Sequence, residues 1–204
     1  MTDFDLRARD WDSDPLKVER ARRVADAIRK NVRLTTDLTA LEYGCGTGLL
    51  SFALHPSLGS ITLADSSAGM LEVLREKIST SGIRTMTSLQ LDLTTDPLPD
   101  QRFDILYSMM TLHHIADTRK VLADFYLLLN QPGKLLIADL DQEDGSFHDA
   151  GFDGHHGFNQ SELTADLEQA GFRRVRFSTV YEMVKEVGGK SRSYPLFLMV
   201  AEKG

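Results

Sequence analysis

The sequence predicts a doubly wound α/β fold, and three observations carry that prediction. Short apolar runs alternate with amphipathic helical stretches. The runs are apolar throughout, as in strands buried on both faces, and glycines at every second position follow the first of them. With 204 residues, of which 42% are hydrophobic and 26% charged, the chain has the composition of one globular domain with small appendages.

Asp14-Pro15 opens the first helix, in which Val18, Ala21, Val24, Ala25 and Ile28 recur at helical spacing and Arg20, Arg22 and Arg23 form the solvated face. Residues 1–35 are thus a helical cap or lid segment, with the α/β domain over 36–204. Leu38 to Tyr43 reads as a buried strand, Gly44 to Gly48 as a turn, and Leu49 to Leu54 as a helix stopped before Pro56. Ile61 to Ala64 is the second strand, and Ser67 caps a helix carrying Leu71, Leu74 and Ile78 that ends at Ser81-Gly82. Met86 to Leu91 and Phe103 to Tyr107 give two more strands. A helix face of Val121, Leu122, Phe125, Leu128 and Leu129 then stops at Asn130-Gln131-Pro132-Gly133, before a fifth strand over Leu135 to Leu140.

The pattern breaks between Asp139 and Gly157, where six acids and three histidines stand without a lysine or arginine, so a loop bordering a site is expected. Asn159 as N-cap, Glu162 three residues on and Phe158 stapled against Leu163 open a last helix that ends at Gly171. Alternation through Val175, Phe177 and Thr179, a turn at Gly188-Gly189 and the run Leu196 to Ala201 predict a closing antiparallel pair, giving seven mostly parallel strands.

Net charge of −7, from 30 acids against 23 Lys plus Arg, repels a phosphate backbone, so nucleic acid is not an expected partner. The longest apolar run is far short of the roughly 18 to 20 residues that cross a bilayer. Cys45 stands alone and Met1-Thr2-Asp3-Phe4-Asp5 lacks the basic start and apolar run of a secretory leader; a reducing cytoplasm is the expected compartment.

Function concentrates in Glu42-Tyr43-Gly44-Cys45-Gly46-Thr47-Gly48. Glycines there let a ligand approach the main chain, and the next helix offers free N–H groups to a carboxylate or phosphate. A dinucleotide fingerprint would want a small residue at the third glycine slot, which is Leu49. Asp65, about twenty residues beyond Gly44, is placed either to accept both ribose hydroxyls or to cap the following helix. Asp92 can likewise face a ligand or cap the turn Thr94-Thr95-Asp96-Pro97.

These residues, with Asp65-Ser66-Ser67-Ala68-Gly69-Met70-Leu71, Leu91-Asp92-Leu93, Phe103-Asp104-Ile105-Leu106-Tyr107-Ser108, Leu112-His113-His114-Ile115 and Pro132-Gly133-Lys134-Leu135-Leu136-Ile137, resemble the class I S-adenosylmethionine-dependent methyltransferases over about residues 36 to 204. The Leu-His-His segment is most similar to the branch acting on small molecules in quinone biosynthesis. The resemblance implies the Rossmann-like methyltransferase fold and S-adenosyl-L-methionine as cofactor. It places Glu42 and the Gly44, Gly46, Gly48 loop at the methionine end, Asp65 with Ser66 at the ribose, Asp92 at the adenine amino group, Leu93 against the adenine ring and the Ser108 region on the path to the methyl.

Methyl displacement needs alignment more than a catalytic side chain, but an acceptor that must lose a proton calls for a base. His113, His114, His148, His155 and His156 are the candidates, with His155, His156 and His113 foremost and the first two of these favoured because their loop should border the pocket; His113 and His114 can also be packing residues. His148, His155 and His156 with Asp149 or Asp153 match no compact zinc spacing, so no metal is expected. Trp11 and Phe4 are read as a lid or as an anchor for the first helix. The segment Ser108-Met109-Met110-Thr111 lacks the Asn/Asp-Pro-Pro-Tyr/Phe motif of relatives that methylate exocyclic amines, which favours a small-molecule substrate. Two other classes stay open: a nicotinamide-dependent oxidoreductase, and a cofactor-binding protein without methyl transfer.

Overall fold

The computed structural model describes residues 3–149 and 151–204; Met1 and Thr2, the start of the stretch considered as a leader, lie outside the described residues. Helix α1 (Asp3–Arg7) and a 3-10 turn (Ala8–Ser13) lead into α2 (Pro15–Asn31), whose cap is Asp14, accepting from the Leu16 N–H at 2.9 Å. There follow β1 (Thr39–Tyr43), α3 (Leu49–Leu54), β2 (Ser60–Asp65), α4 (Ala68–Ser81), β3 (Met86–Gln90), β4 (Phe103–Met109), α5 (Thr118–Leu128), β5 (Leu129–Leu140), α6 (Gln160–Gln169), β6 (Phe172–Val187) and β7 (Lys190–Lys203).

The seven strands form one sheet in the order β3-β2-β1-β4-β5-β7-β6, with the first five parallel and β7 antiparallel to both its neighbours. Successive residues of the central strands serve opposite faces, because strand side chains alternate. Ala40, Ile105, Leu136 and Leu198 meet Val24, Ile28, Leu50 and Leu74 of α2, α3 and α4. Leu41, Leu106, Leu135 and Met199 meet Val121, Phe125 and Leu163 of α5 and α6. Two cores on one sheet explain why these strands are apolar at every position.

Local signals hold at the helix ends. Ser67 caps α4 by accepting from Met70 N at 3.1 Å, Gly82 ends it at φ +69°, and Asn159 caps α6 by accepting from Ser161 N at 3.0 Å. Two boundaries differ from expectation. Strand β5 starts at Leu129, directly after α5, and runs through the expected turn Asn130–Gly133, because Leu129 pairs with Phe103 before a register shift brings Lys134 opposite Ile105. The β6–β7 hairpin is far longer than its apolar centre: pairing continues from Tyr181↔Leu196 out to Val187↔Lys190, well past the stretch of β7 that β5 covers. Among the described residues no helix is long and apolar enough to cross a membrane.

Candidate functional site

The chain winds from β1 to β2 and β3 on one side and to β4 and β5 on the other. The carboxyl ends of β1 and β4 therefore face the point where the winding reverses, the usual ligand crevice of such sheets. A cavity of about 1510 Å³ lies there.

One end is built by the loop after β1. The N–H groups of Gly44 and Cys45 both donate to Ala64 O, at 2.8 and 3.0 Å, which turns the loop across the end of β2. Gly46 has φ +52° and lines the cavity, where a Cβ built on it would meet Met70 Sδ and Trp11 Nε1 in ordinary contact at 3.9 Å. Without a side chain its backbone faces the cavity directly, in a left-handed conformation that favours glycine. Asp65 accepts from Gly46 N at 2.7 Å through one oxygen and from Ser67 N at 2.9 Å through the other. Each oxygen keeps a second lone pair for a pair of hydroxyls, and burial raises the Asp65 pKa. Glu42, 2% exposed, takes the Ser51 hydroxyl, and Ser51 lies 2.6 Å from Tyr107 OH. Burial pushes the Glu42 carboxyl up to about 8.

The cavity is lined by Glu42, Gly44, Gly46, Asp65, Ser66, Asp92 and His113 of the expected site residues. Asp92 also caps its turn, one oxygen accepting from Thr94 N at 2.9 Å and Thr94 Oγ1 at 2.6 Å. Gly48 is outside the lining, and a Cβ built on it would lie 2.8 Å from Leu74 and 3.1 Å from Leu63. Ser108 is 3% exposed and lies outside the lining, which at this strand end is made by Met109, Met110 and Thr111. Leu93 departs from its expected place at the adenine ring: its N–H donates to Tyr43 OH at 3.1 Å and its side chain is fully buried in the second core.

The histidines sort differently from the expectation. His155 and His156 are outside the lining; the His155 ring nitrogen Nε2 lies 2.9 Å from Ile115 O, and His156 faces Glu143 at 3.5 Å and is largely exposed. His113, His114 and His148 face the cavity instead. His113, 1% exposed, places Nδ1 at 2.6 Å from Asp139 Oδ1, while its backbone N–H donates to Asp139 Oδ2 at 3.3 Å. A carboxylate there accepts the Nδ1 proton, leaving Nε2 with a free lone pair. That Nε2 is buried and without a hydrogen-bond partner, as is Nε2 of His148. Burial, then competition with the neighbouring His113 for positive charge, lowers His114 and His148 to about 4. Spatial neighbours in the strand order make the His113–Asp139 pair: His113 follows β4 and Asp139 ends β5, so the strand-end rule was the signal that could have found it.

The N-terminal segment lines part of the cavity. Trp11 and Phe4 line it with ring centroids 6.0 Å apart, and Phe4 stands edge-on to His114 at 5.3 Å. Asp5 caps α4, accepting from Ser67 Oγ at 2.6 Å and Gly69 N at 2.9 Å, and Asp12 binds both Thr47 of the glycine loop and Lys77. Arg20 also departs from expectation. Arg22 and Arg23 are exposed, but Arg20 turns into the cavity. Among the described residues no group of three or more His, Cys, Asp or Glu side chains could hold a metal ion.

Residues 40–133 match the family model described as a methyltransferase domain. The chain is similar to methyltransferases over those residues, a little under half of its length. It is 31% identical over 118 residues to an uncharacterised methyltransferase of Schizosaccharomyces pombe, covering 54% of this chain and 42% of that one. A ubiquinone/menaquinone biosynthesis C-methyltransferase of Pectobacterium carotovorum is 31% identical over 116 residues, covering 55% of this chain and 44% of the relative. The match thus spans less than half the length of these curated relatives. Among solved structures, a complex between the Haloferax volcanii Trm112 methyltransferase activator and a methyltransferase superposes with a TM-score of 0.78 at 16% identity, covering 100% of this chain and 98% of the other. At that identity the likeness shows the methyltransferase fold.

Proposed function

We propose that the protein transfers a methyl group from S-adenosylmethionine to a small-molecule acceptor whose reacting atom gives its proton to His113. The observation that carries this reading is that one cavity joins the glycine loop, Asp65 and Asp92 at one end to the unpartnered Nε2 of His113 at the other. When bound, S-adenosylmethionine supplies a methyl group on a positively charged sulfur, open to displacement by an electron pair. The cavity-facing backbone of Gly46 and the spare lone pairs of Asp65 fit such a nucleoside, and Glu42 fits an ammonium group.

The chain's own residues would do four things. The loop and Asp65 hold the nucleoside, and Asp92 borders it. Trp11 and Phe4 cover the site and exclude water. Asp139 holds His113 in the tautomer whose Nε2 accepts. His113 removes a proton from a hydroxyl, an amine or an acidic carbon, a contribution worth about 10²- to 10⁴-fold. The net charge of −7 and the deep aromatic lining support a small acceptor over a polyanion. Buried, unpaired Cys45 suits the cytoplasm we propose for it.

Calorimetric titration with S-adenosylhomocysteine, with a nicotinamide dinucleotide as control, tests the reading. Micromolar binding, about −8 kcal/mol, is expected for the first and none for the second. Asp65→Ala should weaken it by about 1.5 to 3 kcal/mol, the worth of hydrogen bonds to a charged group. Binding of the dinucleotide alone would install the oxidoreductase reading, and an unchanged affinity in Asp65→Ala would remove Asp65 from the site.

A further inference from the structure

Arg20 is a guanidinium that folding has left uncompensated. It projects from α2 into the cavity, its Nε is buried without any hydrogen-bond partner, and its Nη1 contacts only the thioether of Met183 at 3.2 Å. A thioether is a weak acceptor and brings no charge. No ion pair to Arg20 forms among the described residues, although twelve pairs between lysine or arginine and a carboxylate exist elsewhere. The acids that act on it are already engaged: Asp14 with Leu16 N and Lys17, Asp139 with His113. A buried charge in that state costs stability unless a ligand completes it.

Its neighbours say which ligand. Arg20 leans on Met183 of the β6–β7 hairpin, and Lys185 of the same hairpin donates to Phe147 O, whose ring packs on His148 and through it on His113. Arg20 therefore stands at the acceptor end and not over the glycine loop. Lys17, stacked 4.0 Å over Trp11, and Lys185, 4.7 Å over Phe147, add positive charge to the same walls. We propose that Arg20 receives an anionic group, a carboxylate or a phosphate, carried by the methyl acceptor, which makes the substrates of this protein small acids. The fork of a guanidinium can take two oxygens of such a group at once, which fixes the orientation of the acceptor before His113. This rests on the methyltransferase reading for the word acceptor, but not for the anion site itself.

Trp11, the one tryptophan of the sequence, lines the cavity and reports binding by its fluorescence. Benzoate, phenyl phosphate and neutral benzamide are titrated against the wild-type protein, Arg20→Met and Arg20→Gln, each with and without S-adenosylhomocysteine. At least one anion should bind the wild type ten-fold or more tighter than benzamide. Both variants should lose that preference while holding benzamide and S-adenosylhomocysteine within two-fold. Because each variant removes a buried unpaired charge, melting temperatures equal to or above wild type are expected, and Arg20→Gln decides should Arg20→Met not fold. Equal binding of benzoate, phenyl phosphate and benzamide, no binding of either anion, or unchanged anion affinity in the variants overturns the proposal. So does a ten-fold loss of S-adenosylhomocysteine with anion binding intact, which would give Arg20 to the cofactor's own carboxylate. A wild type that shows the anion preference but binds no S-adenosylhomocysteine keeps Arg20 as an anion receptor and overturns the methyltransferase reading instead.

Discussion

Replacing Glu42 with glutamine separates what burial does to this carboxyl from the rest of the molecule. The folded protein holds the Glu42 proton up to about pH 8, against an ordinary value of 4.5, because the side chain is enclosed between β1, Ser51 and Tyr107. A raised value means that the folded state binds the proton more tightly than the unfolded chain. Its stabilising share is complete below pH 4.5 and is lost as the pH rises through 8. At about 1.4 kcal/mol for each unit, the loss is roughly 3 to 5 kcal/mol, a large part of the 5 to 15 kcal/mol that holds a typical domain. An amide cannot ionise and escapes it. Urea unfolding of both proteins at pH 5, 7 and 9 reads the difference. Wild type minus Glu42→Gln should fall by that amount between pH 5 and 9, with the variant the more stable of the two at the alkaline end. A difference constant to within about 0.5 kcal/mol over that range would refute the reasoning. A cation bound beside Glu42 should reverse the effect, so S-adenosylhomocysteine binding at pH 7 should release close to one proton, measured as a dependence of the binding heat on the buffer's ionisation heat.

His113→Asn should lower turnover about 10²- to 10⁴-fold with S-adenosylhomocysteine affinity within two-fold of wild type, and Asp139→Asn should act in the same direction by spoiling the tautomer. Initial rates with saturating cofactor, paired with titration of the product, check both. A Cβ on Gly44 would lie 2.2 Å from Thr111 Cγ2 at a backbone φ of +70°, so Gly44→Ala should cost about 2 to 3 kcal/mol in denaturant unfolding and regain part of it when combined with Thr111→Gly. His114 and His148, depressed to about 4, stabilise the fold above pH 6.5 and lose that contribution as the pH falls from 6.5 toward 4. His148→Gln should therefore melt with less acid sensitivity in that window, and identical acid profiles would contradict the assignment.

What could be read from the sequence was local. The Ser67 and Asn159 caps, the Gly82 stop and the run of strands β1 to β4 follow from residues within one helical turn or one strand of each other. Asn130-Gln131-Pro132-Gly133 carries turn chemistry, but pairing of Leu129 with Phe103 pulls it into β5, and a residue on another strand is invisible to a local pattern. The same distance in sequence hid parts of the site. The glycine loop and Asp65 could be found because they sit on consecutive β–α units. His113 with Asp139, and Leu93 N–H with Tyr43 OH, are pairs that only the strand order brings together. Arg20 reads as part of a solvated arginine face with Arg22 and Arg23, and a helical period alone cannot tell a water-facing guanidinium from one aimed into a crevice.

The outer half of the β6–β7 hairpin leaves the sheet as a two-stranded arm, since β5 pairs with β7 only from Leu196 to Glu202. Two strands alone are marginally stable in water, so this arm takes its shape from what it leans on: Met183 on Arg20, Lys185 on Phe147, Tyr194 on Phe147 and Ser146. Among the described residues no hydrogen bond joins it to Asp65, which accepts instead from Gly46 and Ser67. The arm is in effect an exchangeable cassette: its residues could be rewritten to admit a different acceptor while the nucleoside half of the molecule, and the sheet that builds it, stay as they are.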